Sequence, residues 1–315
     1  MRAAFAQLRR ARARSGVRRV LVVTAMASTA TISAGAGQQA AFRSGIDLVA
    51  VDVSVRRPVT MGSEPILGLQ AADFEVLDNG VPQEIVDVSY GSLPIDITLA
   101  IDLSFKSGKY AASLRDAVND QVSRLEKQDR VRLILFNSRV PRATEFTTDA
   151  AAIDRALREA RAGSQTGFAD AVGDALASAT PADRRHLVLF VTDGGLSSSA
   201  KPELLLDLAR RSRATMSMIL PIEHPTGRGQ FVPSAAQRER TSSLNQLAQE
   251  TGGIIVWQTP NANVGPVMRV LFEDFRASYV LHFAPRGVEA GGVHTLQVRV
   301  KRPDARVKAR RAYVR

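Results

Sequence analysis

The stretch Ile97-Thr98-Leu99-Ala100-Ile101-Asp102-Leu103-Ser104 restricts the fold more than any other. It is an apolar run of strand length that ends in a carboxylate and, two residues on, a hydroxyl. A strand apolar on both faces has no wet side, so it reads as a central parallel strand with helices packed above and below. The sequence then repeats the pattern. Further strands are predicted at Val131–Phe136, Leu187–Thr192, Thr215–Leu220 and Ile254–Trp257. Between them, Ala111, Leu114, Val118, Val122 and Leu125 recur at helical spacing, as do Phe168, Val172, Leu176 and Ala179. More helices are expected near Ala150–Ala160, Pro202–Arg213, Arg240–Thr251 and Val264–Arg276, with a long crevice-side loop from Glu223 to Ala236. Strand–helix alternation implies an α/β unit with a mostly parallel sheet covered on both faces. In open sheets of this kind ligands bind beyond the carboxyl ends of the strands, where Asp102 and Ser104 fall.

The flanks are of another kind. Ile46 to Val55 alternates with period two, and Phe74–Leu77 runs into Asp78-Asn79-Gly80 and on to Glu84–Val88. Asn-Gly supplies the positive φ angles of a tight hairpin turn. After Phe275 the pattern returns to β, at Tyr279–Phe283, His294–Val300 and Arg306–Val314. Each β part buries too little to stand alone, so the two are expected to form one small sandwich with the α/β unit inserted between them. The expected boundaries are a β segment at 46–91, the α/β unit at 93–277 and a second β segment at 278–315.

The formal charge of +11 on 315 residues suggests nucleic acid until it is localised. Residues 1–36 hold seven Arg and no acid, and the tail from Arg299 to Arg315 holds eight Lys or Arg against one Asp. The body between them is slightly acidic, with 27 basic and 30 acidic residues. No nucleic-acid partner is expected. The tail's cations read as the wet face of a hairpin, the alternative being a docking strip for anionic polysaccharide or membrane headgroups. The N-terminus has the form of an export signal: a basic region to Arg19, a modestly apolar one from Val20, and small residues at Ser33-Ala34-Gly35-Ala36. A signal peptide over 1–36 and a periplasmic or secreted mature chain are expected. The apolar stretch is short and rich in Ser and Thr, so the mature chain is expected to lack a spanning segment. With no Cys there is neither a lipid-anchoring thiol nor a disulfide.

Three segments place polar oxygens on the crevice side: Asp102-Leu103-Ser104, Gly163-Ser164-Gln165-Thr166-Gly167, and Val191-Thr192-Asp193-Gly194-Gly195. Two carboxylates with hydroxyls, and no thiol or nearby His, are hard-oxygen chemistry suited to Mg²⁺ or Mn²⁺. Asp-x-Ser closing a strand, a Thr before a helix, and Phe190-Val191-Thr192-Asp193-Gly194 together resemble a von Willebrand factor type A (VWFA) domain. The flanking Gly68–Val76, Asn79–Gln83, Thr251-Gly252-Gly253 and Tyr279-Val280-Leu281 through Lys308-Ala309-Arg310 resemble the VWFA-related Acidobacterial-domain proteins. The resemblance covers roughly residues 46–315 and implies a Rossmann-like α/β fold. It also implies a metal-ion-dependent adhesion site in which Asp102, Ser104, Thr166 and Asp193 hold Mg²⁺ or Mn²⁺ and a protein ligand's carboxylate completes the sphere. This chain departs from the motif at its second Ser, where Lys106 stands. An ammonium cannot ligate a cation; it can instead replace one, pairing with both aspartates.

Asp170 and Asp174 read as first-turn and surface acids. His186, His224, His282 and His294 lie on different elements and read as structural or surface groups, and Trp257 as core or rim. No Gly-x-Ser-x-Gly elbow, phosphate-cradling Gly loop or His-Glu-x-x-His is present. The expectation is a binding module rather than an enzyme, through a degenerate adhesion site. Its alternatives are a structural envelope protein with a vestigial site and, last, a metal-dependent hydrolase.

Overall fold

In chain order, β1 spans Val49–Val59, β2 Gly62–Pro65, β3 Phe74–Asp78, β4 Val81–Gln83, β5 Ile85–Tyr90 and β6 Ile95–Asp102. Then come α1 (Gly108–Val122), β7 (Arg130–Phe136), β8 (Arg142–Ala143), α2 (Ala150–Glu159), α3 (Phe168–Ala177) and β9 (Arg185–Val191). The chain continues through α4 (Pro202–Arg211), β10 (Thr215–Pro221), α5 (Ala235–Glu250), β11 (Ile255–Gln258) and α6 (Gly265–Arg276). It closes with β12 (Tyr279–Phe283), β13 (Val293–Val300), β14 (Arg306–Ala309) and β15 (Ala312–Val314). The structure, a computed structural model, describes residues 48–60, 62–103, 108–137, 142–161, 167–192, 201–221, 235–258 and 262–315. The expected signal peptide over 1–36 lies outside them.

Six strands build the central sheet in the order β11-β10-β9-β6-β7-β8. All neighbours are parallel except β7 and β8. Every residue of β6 is buried, as a strand covered on both faces requires. Ile97, Leu99 and Ile101 point to the face packed by α1 and α6 through Leu114, Val118 and Met268. Ala100 and its neighbours Phe190 and Met218 point to the face packed by α3, α4 and α5 through Val172, Leu205 and Leu247. Counting strands within this unit, the order reverses between β6 and β9. That is the topological switch point of a doubly wound fold, where the helices on either side diverge and leave a crevice.

The N- and C-terminal β segments do build one sandwich. Its first sheet is β14-β1-β12-β5 with β2 added to β1, and its second is β15-β13-β3-β4. Val51, Val53, Leu281 and Phe283 from the first sheet meet Phe74, Val76 and Leu296 from the second in a core of their own. Tyr279 packs at its centre, edge-on to Phe74 at 5.3 Å, its hydroxyl donating to Ile66 O at 2.8 Å.

Two details depart from the sequence pattern. Asn79 (φ 47°) and Gly80 (φ 82°) do form the tight turn, but only β4 returns from it to pair with β3. The chain then crosses to the other sheet, where β5 pairs with β12. The strand expected over Arg306–Val314 likewise divides at Arg310: β14 joins β1, and β15 joins β13. Arg310 is 7% exposed and donates to Ala312 O, Ala209 O and Ser212 O at 3.0, 3.2 and 2.8 Å. Burial lowers its pKa to about 10, and satisfying its donors turns the backbone between the two sheets. α5 also begins earlier than the pattern suggests, at Ala235.

Candidate functional site

The register of β6 and β9 sets Ile101 opposite Val191, which makes Asp102 and Thr192 the next pair along. Both side chains fall on the α3 side of the sheet, in step with Ala100 and Phe190. The backbone supports this end of the sheet from both sides: Leu103 N donates to Phe136 O at 2.8 Å and Thr192 N to Ile219 O at 3.3 Å. Asp102 is 1% exposed, and Thr192 Oγ1 donates to its Oδ2 at 2.8 Å. A buried carboxylate therefore stands at the carboxyl end of the central strand, at the switch point, with its orientation held by a buried hydroxyl. Such placement is costly unless the charge is matched, and it is a recurrent sign of a functional group.

Of the residues the sequence assigned to a metal site, Asp102 is where the pattern put it. Ser104, Lys106, Thr166 and Asp193 lie outside the described residues, as does His224. Among the described residues no group of three or more His, Cys, Asp or Glu is placed to hold a metal ion. The donors at the described part of the site, one carboxylate and one hydroxyl, are the hard oxygens that Mg²⁺ or Mn²⁺ takes. Thr192 was within the segment singled out by sequence but not among the assigned residues. Its signal is a polar residue ending an apolar strand one position before Asp193.

The other candidates resolve into structure. His186 is buried between Thr98 Oγ1 at 2.8 Å and Thr180 Oγ1 at 3.0 Å. The ring of His294, on β13, is fully buried with Nδ1 2.8 Å from Asp78, whose other oxygen accepts from Tyr313 Oη at 2.7 Å. Asp170 lies in the first turn of α3. Trp257, on the edge strand β11, is a rim residue, 43% exposed.

Six of the tail's eight cations (Arg299, Lys301, Arg302, Arg306, Arg311 and Arg315) are exposed, as the wet face of a hairpin requires, whereas Lys308 is half-buried and Arg310 buried. Arg299 reaches Gln297 at 2.8 Å and Glu75 at 3.4 Å, and Lys301 donates to Ala72 O at 2.9 Å. Lys308 pairs with Asp274, Arg311 donates to Gln249, and Arg310 is buried. At the amino ends of the strands the buried acids are matched in the same way. Asp96 is bound by Arg130 at 2.6 Å and Arg184 at 2.7 Å. Burial pushes its pKa up, but the two guanidinium groups more than offset this and hold it below the usual carboxylate value.

This is the architecture of a doubly wound α/β domain with an acidic switch-point site, set in an antiparallel sandwich. Residues 97–195 match the family model described as the von Willebrand factor type A domain. No curated protein matches the chain. Among solved structures it is similar to a von Willebrand factor type A protein from Catenulispora acidiphila, with 10% identity, 79% of this chain and 76% of that one covered, and a TM-score of 0.46. It is similar to an aerotolerance-related membrane protein from Bacteroides fragilis, with 14% identity, 57% and 98% covered, and a TM-score of 0.42. It is also similar to proximal thread matrix protein 1 of the mussel byssus, solved with a zinc-occupied MIDAS motif. There the identity is 16%, the coverage 62% of this chain and 48% of that one, and the TM-score 0.44. No helix among the described residues is long and apolar enough to cross a membrane.

Proposed function

We propose that the chain is an exported, non-catalytic binding module that engages a protein ligand through the crevice at Asp102. The observation that carries this reading is the buried carboxylate at the switch point, oriented by Thr192. In this reading residues 1–36 are removed on export, and the mature protein works in the periplasm or outside the cell. The narrower likeness to VWFA-related Acidobacterial-domain proteins belongs to the same proposal. Asp102, Ser104, Thr166 and Asp193 would hold Mg²⁺ or Mn²⁺, which supplies an open coordination position and positive charge for a ligand carboxylate. Among the described residues no imidazole lies at this end of the sheet to serve as a general base, which argues against hydrolysis.

Lys106 favours a second reading, in which its ammonium takes the place of the ion and the site is vestigial in a structural envelope protein. A Lys within a coordination sphere opposes a divalent cation by several kcal/mol, on the order of what one unit charge at ~4 Å exerts in a fairly polar site. Calorimetric titration of the natural chain and of Lys106→Ser with Mg²⁺ and Mn²⁺ separates the two. The metal-dependent reading expects saturable binding by the natural chain, strengthened about tenfold or more in the variant. Binding confined to Lys106→Ser would sink that reading, and tight binding by the natural chain would sink the substitution.

A further inference from the structure

The chain has six asparagines, and Asn79, in the turn between β3 and β4, is the one followed by glycine. Asn79 and Gly80 are both exposed. The turn holds Asn79 at two points: its backbone N donates to Thr295 O at 2.9 Å, and its Oδ1 accepts from Thr295 N at 2.8 Å. The reactive atoms beside those points are free. Among the described residues no protein group accepts the Gly80 N–H or pairs with Asn79 Nδ2. Gly80 has no Cβ to hinder its nitrogen, and a Cβ built there would meet nothing within 4 Å, so water reaches the turn. The Thr295 N–H is meanwhile aimed at the oxygen on which charge develops when the side-chain carbonyl is attacked. Other asparagines lack this combination. Asn119 and Asn245 lie inside α1 and α5, and Nδ2 of Asn119 and of Asn137 donate to Asp154 Oδ1 and Arg161 O at 2.8 and 3.1 Å.

We infer that Asn79-Gly80 is a site of spontaneous covalent modification, at which the Gly80 nitrogen displaces the side-chain nitrogen of Asn79. Hydroxide takes the Gly80 amide proton, the nitrogen bonds to Asn79 Cγ, and the Cγ–Nδ2 bond breaks to release ammonia, which takes its proton from water. Water then opens the cyclic imide. Cleavage at Cγ leaves aspartate, and cleavage at the main-chain carbonyl leaves isoaspartate, so the net change is one water in and one ammonia out. The aspartate product keeps the turn, because Asp-Gly suits the same pair of positive φ angles. The isoaspartate product runs the backbone through Cγ with an extra CH₂ and cannot keep both bonds to Thr295. The turn then loosens beside Asp78, the buried partner of His294 and Tyr313. The site lies in the sandwich and is independent of the adhesion reading.

Incubation of the full chain in ¹⁸O-labelled water at pH 8, followed by peptide mass mapping, tests this. One heavy oxygen is expected at position 79, at least tenfold faster than at any other asparagine, as a mixture of aspartate and isoaspartate, with the rate rising severalfold from pH 7 to pH 8. Asn79→Ser should remove the signal there. The folded chain is expected to react within tenfold of the rate of the same chain in urea, since the turn leaves both nitrogens free. A folded rate lower than that, earlier labelling of another asparagine, no labelling at all, or aspartate without isoaspartate would each overturn the inference. The last of these would mean that water, and not Gly80 N, attacks the side chain.

Discussion

At the scale of single residues, the α/β unit holds an imidazole on β9 in a setting that suits only its neutral form. His186 lies between two threonine hydroxyls, with Phe146 edge-on at 5.7 Å. Arg132 donates to the same Thr98 hydroxyl at 2.9 Å. Burial first, and then the Arg132 charge, lower the His186 pKa to about 4, with Asp96 pulling weakly the other way. In the unfolded chain the group titrates near 6.5. The folded state therefore binds fewer protons than the unfolded one between those two values, and stability must fall as pH falls from about 6.5 towards 4. A displacement of this size corresponds to about 3 kcal/mol, of which about 2 kcal/mol is spent between pH 7 and 4.5. His186→Gln removes the titrating group. In urea unfolding at pH 7 and pH 4.5 the natural chain should lose about 2 kcal/mol more than the variant. Equal losses in the two proteins would show that His186 is not held neutral.

At the scale of elements, the turn Thr251-Gly252-Gly253 delivers β11 to β10 through contacts that exclude a side chain. A Cβ on Gly253 would lie 1.8 Å from Met216 O and 2.4 Å from Met216 C. Met216 N meanwhile donates to Thr251 Oγ1 at 3.0 Å, and Met218 N to Ile254 O at 2.9 Å. Because the obstacle is backbone, Gly253→Ala has to move β11 away from β10, at about 3 kcal/mol, the upper part of the usual range for overpacking. The thermal midpoint should fall by roughly 5 °C, and a midpoint within a degree of the natural chain's would disprove the close approach. Much at this scale was legible in sequence. β6, β7, β9 and β10 are covered on both faces, so each leaves a mostly apolar run, broken at single polar residues such as Thr98, Arg132 and Ser217, and Asp102 stands out because it ends one. What stayed hidden depends on tertiary pairing. β4 and β5 are separated by Glu84 alone, and nothing local says that the chain changes sheets between them. Arg310 sits in a basic run that reads as solvated, yet it is buried against the carbonyls at the C-terminal end of α4. The Thr192 hydrogen bond is a product of register between β6 and β9, which a single strand's sequence does not contain.

At the scale of the molecule, the α/β unit and the sandwich share buried charge, and Gly45–Arg315 is one compact unit. Arg185, at the start of β9, reaches out of the α/β sheet to Asp52 on β1 at 2.5 Å. It also donates to Phe275 O at 2.6 Å and Ser278 Oγ at 2.5 Å. Asp274 on α6 accepts from Ser54 at 2.9 Å and Arg56 at 3.0 Å and pairs with Lys308, all three from the sandwich. If either part unfolded first, the other would lose all of these ion pairs and hydrogen bonds at once. The two parts should therefore unfold together. The chain reports on each separately: its one Trp, Trp257, is on β11 of the α/β sheet, whereas Tyr90, Tyr279 and Tyr313, three of its four Tyr, are in the sandwich. Trp fluorescence and near-ultraviolet dichroism in the tyrosine band should give one coincident urea transition. Asp52→Ala, which strands the Arg185 guanidinium, should lower the stability of both by about 3–5 kcal/mol or pull the two curves apart. Two separate transitions in the natural chain would mean that the sandwich is an independent domain and that these charges merely line its border.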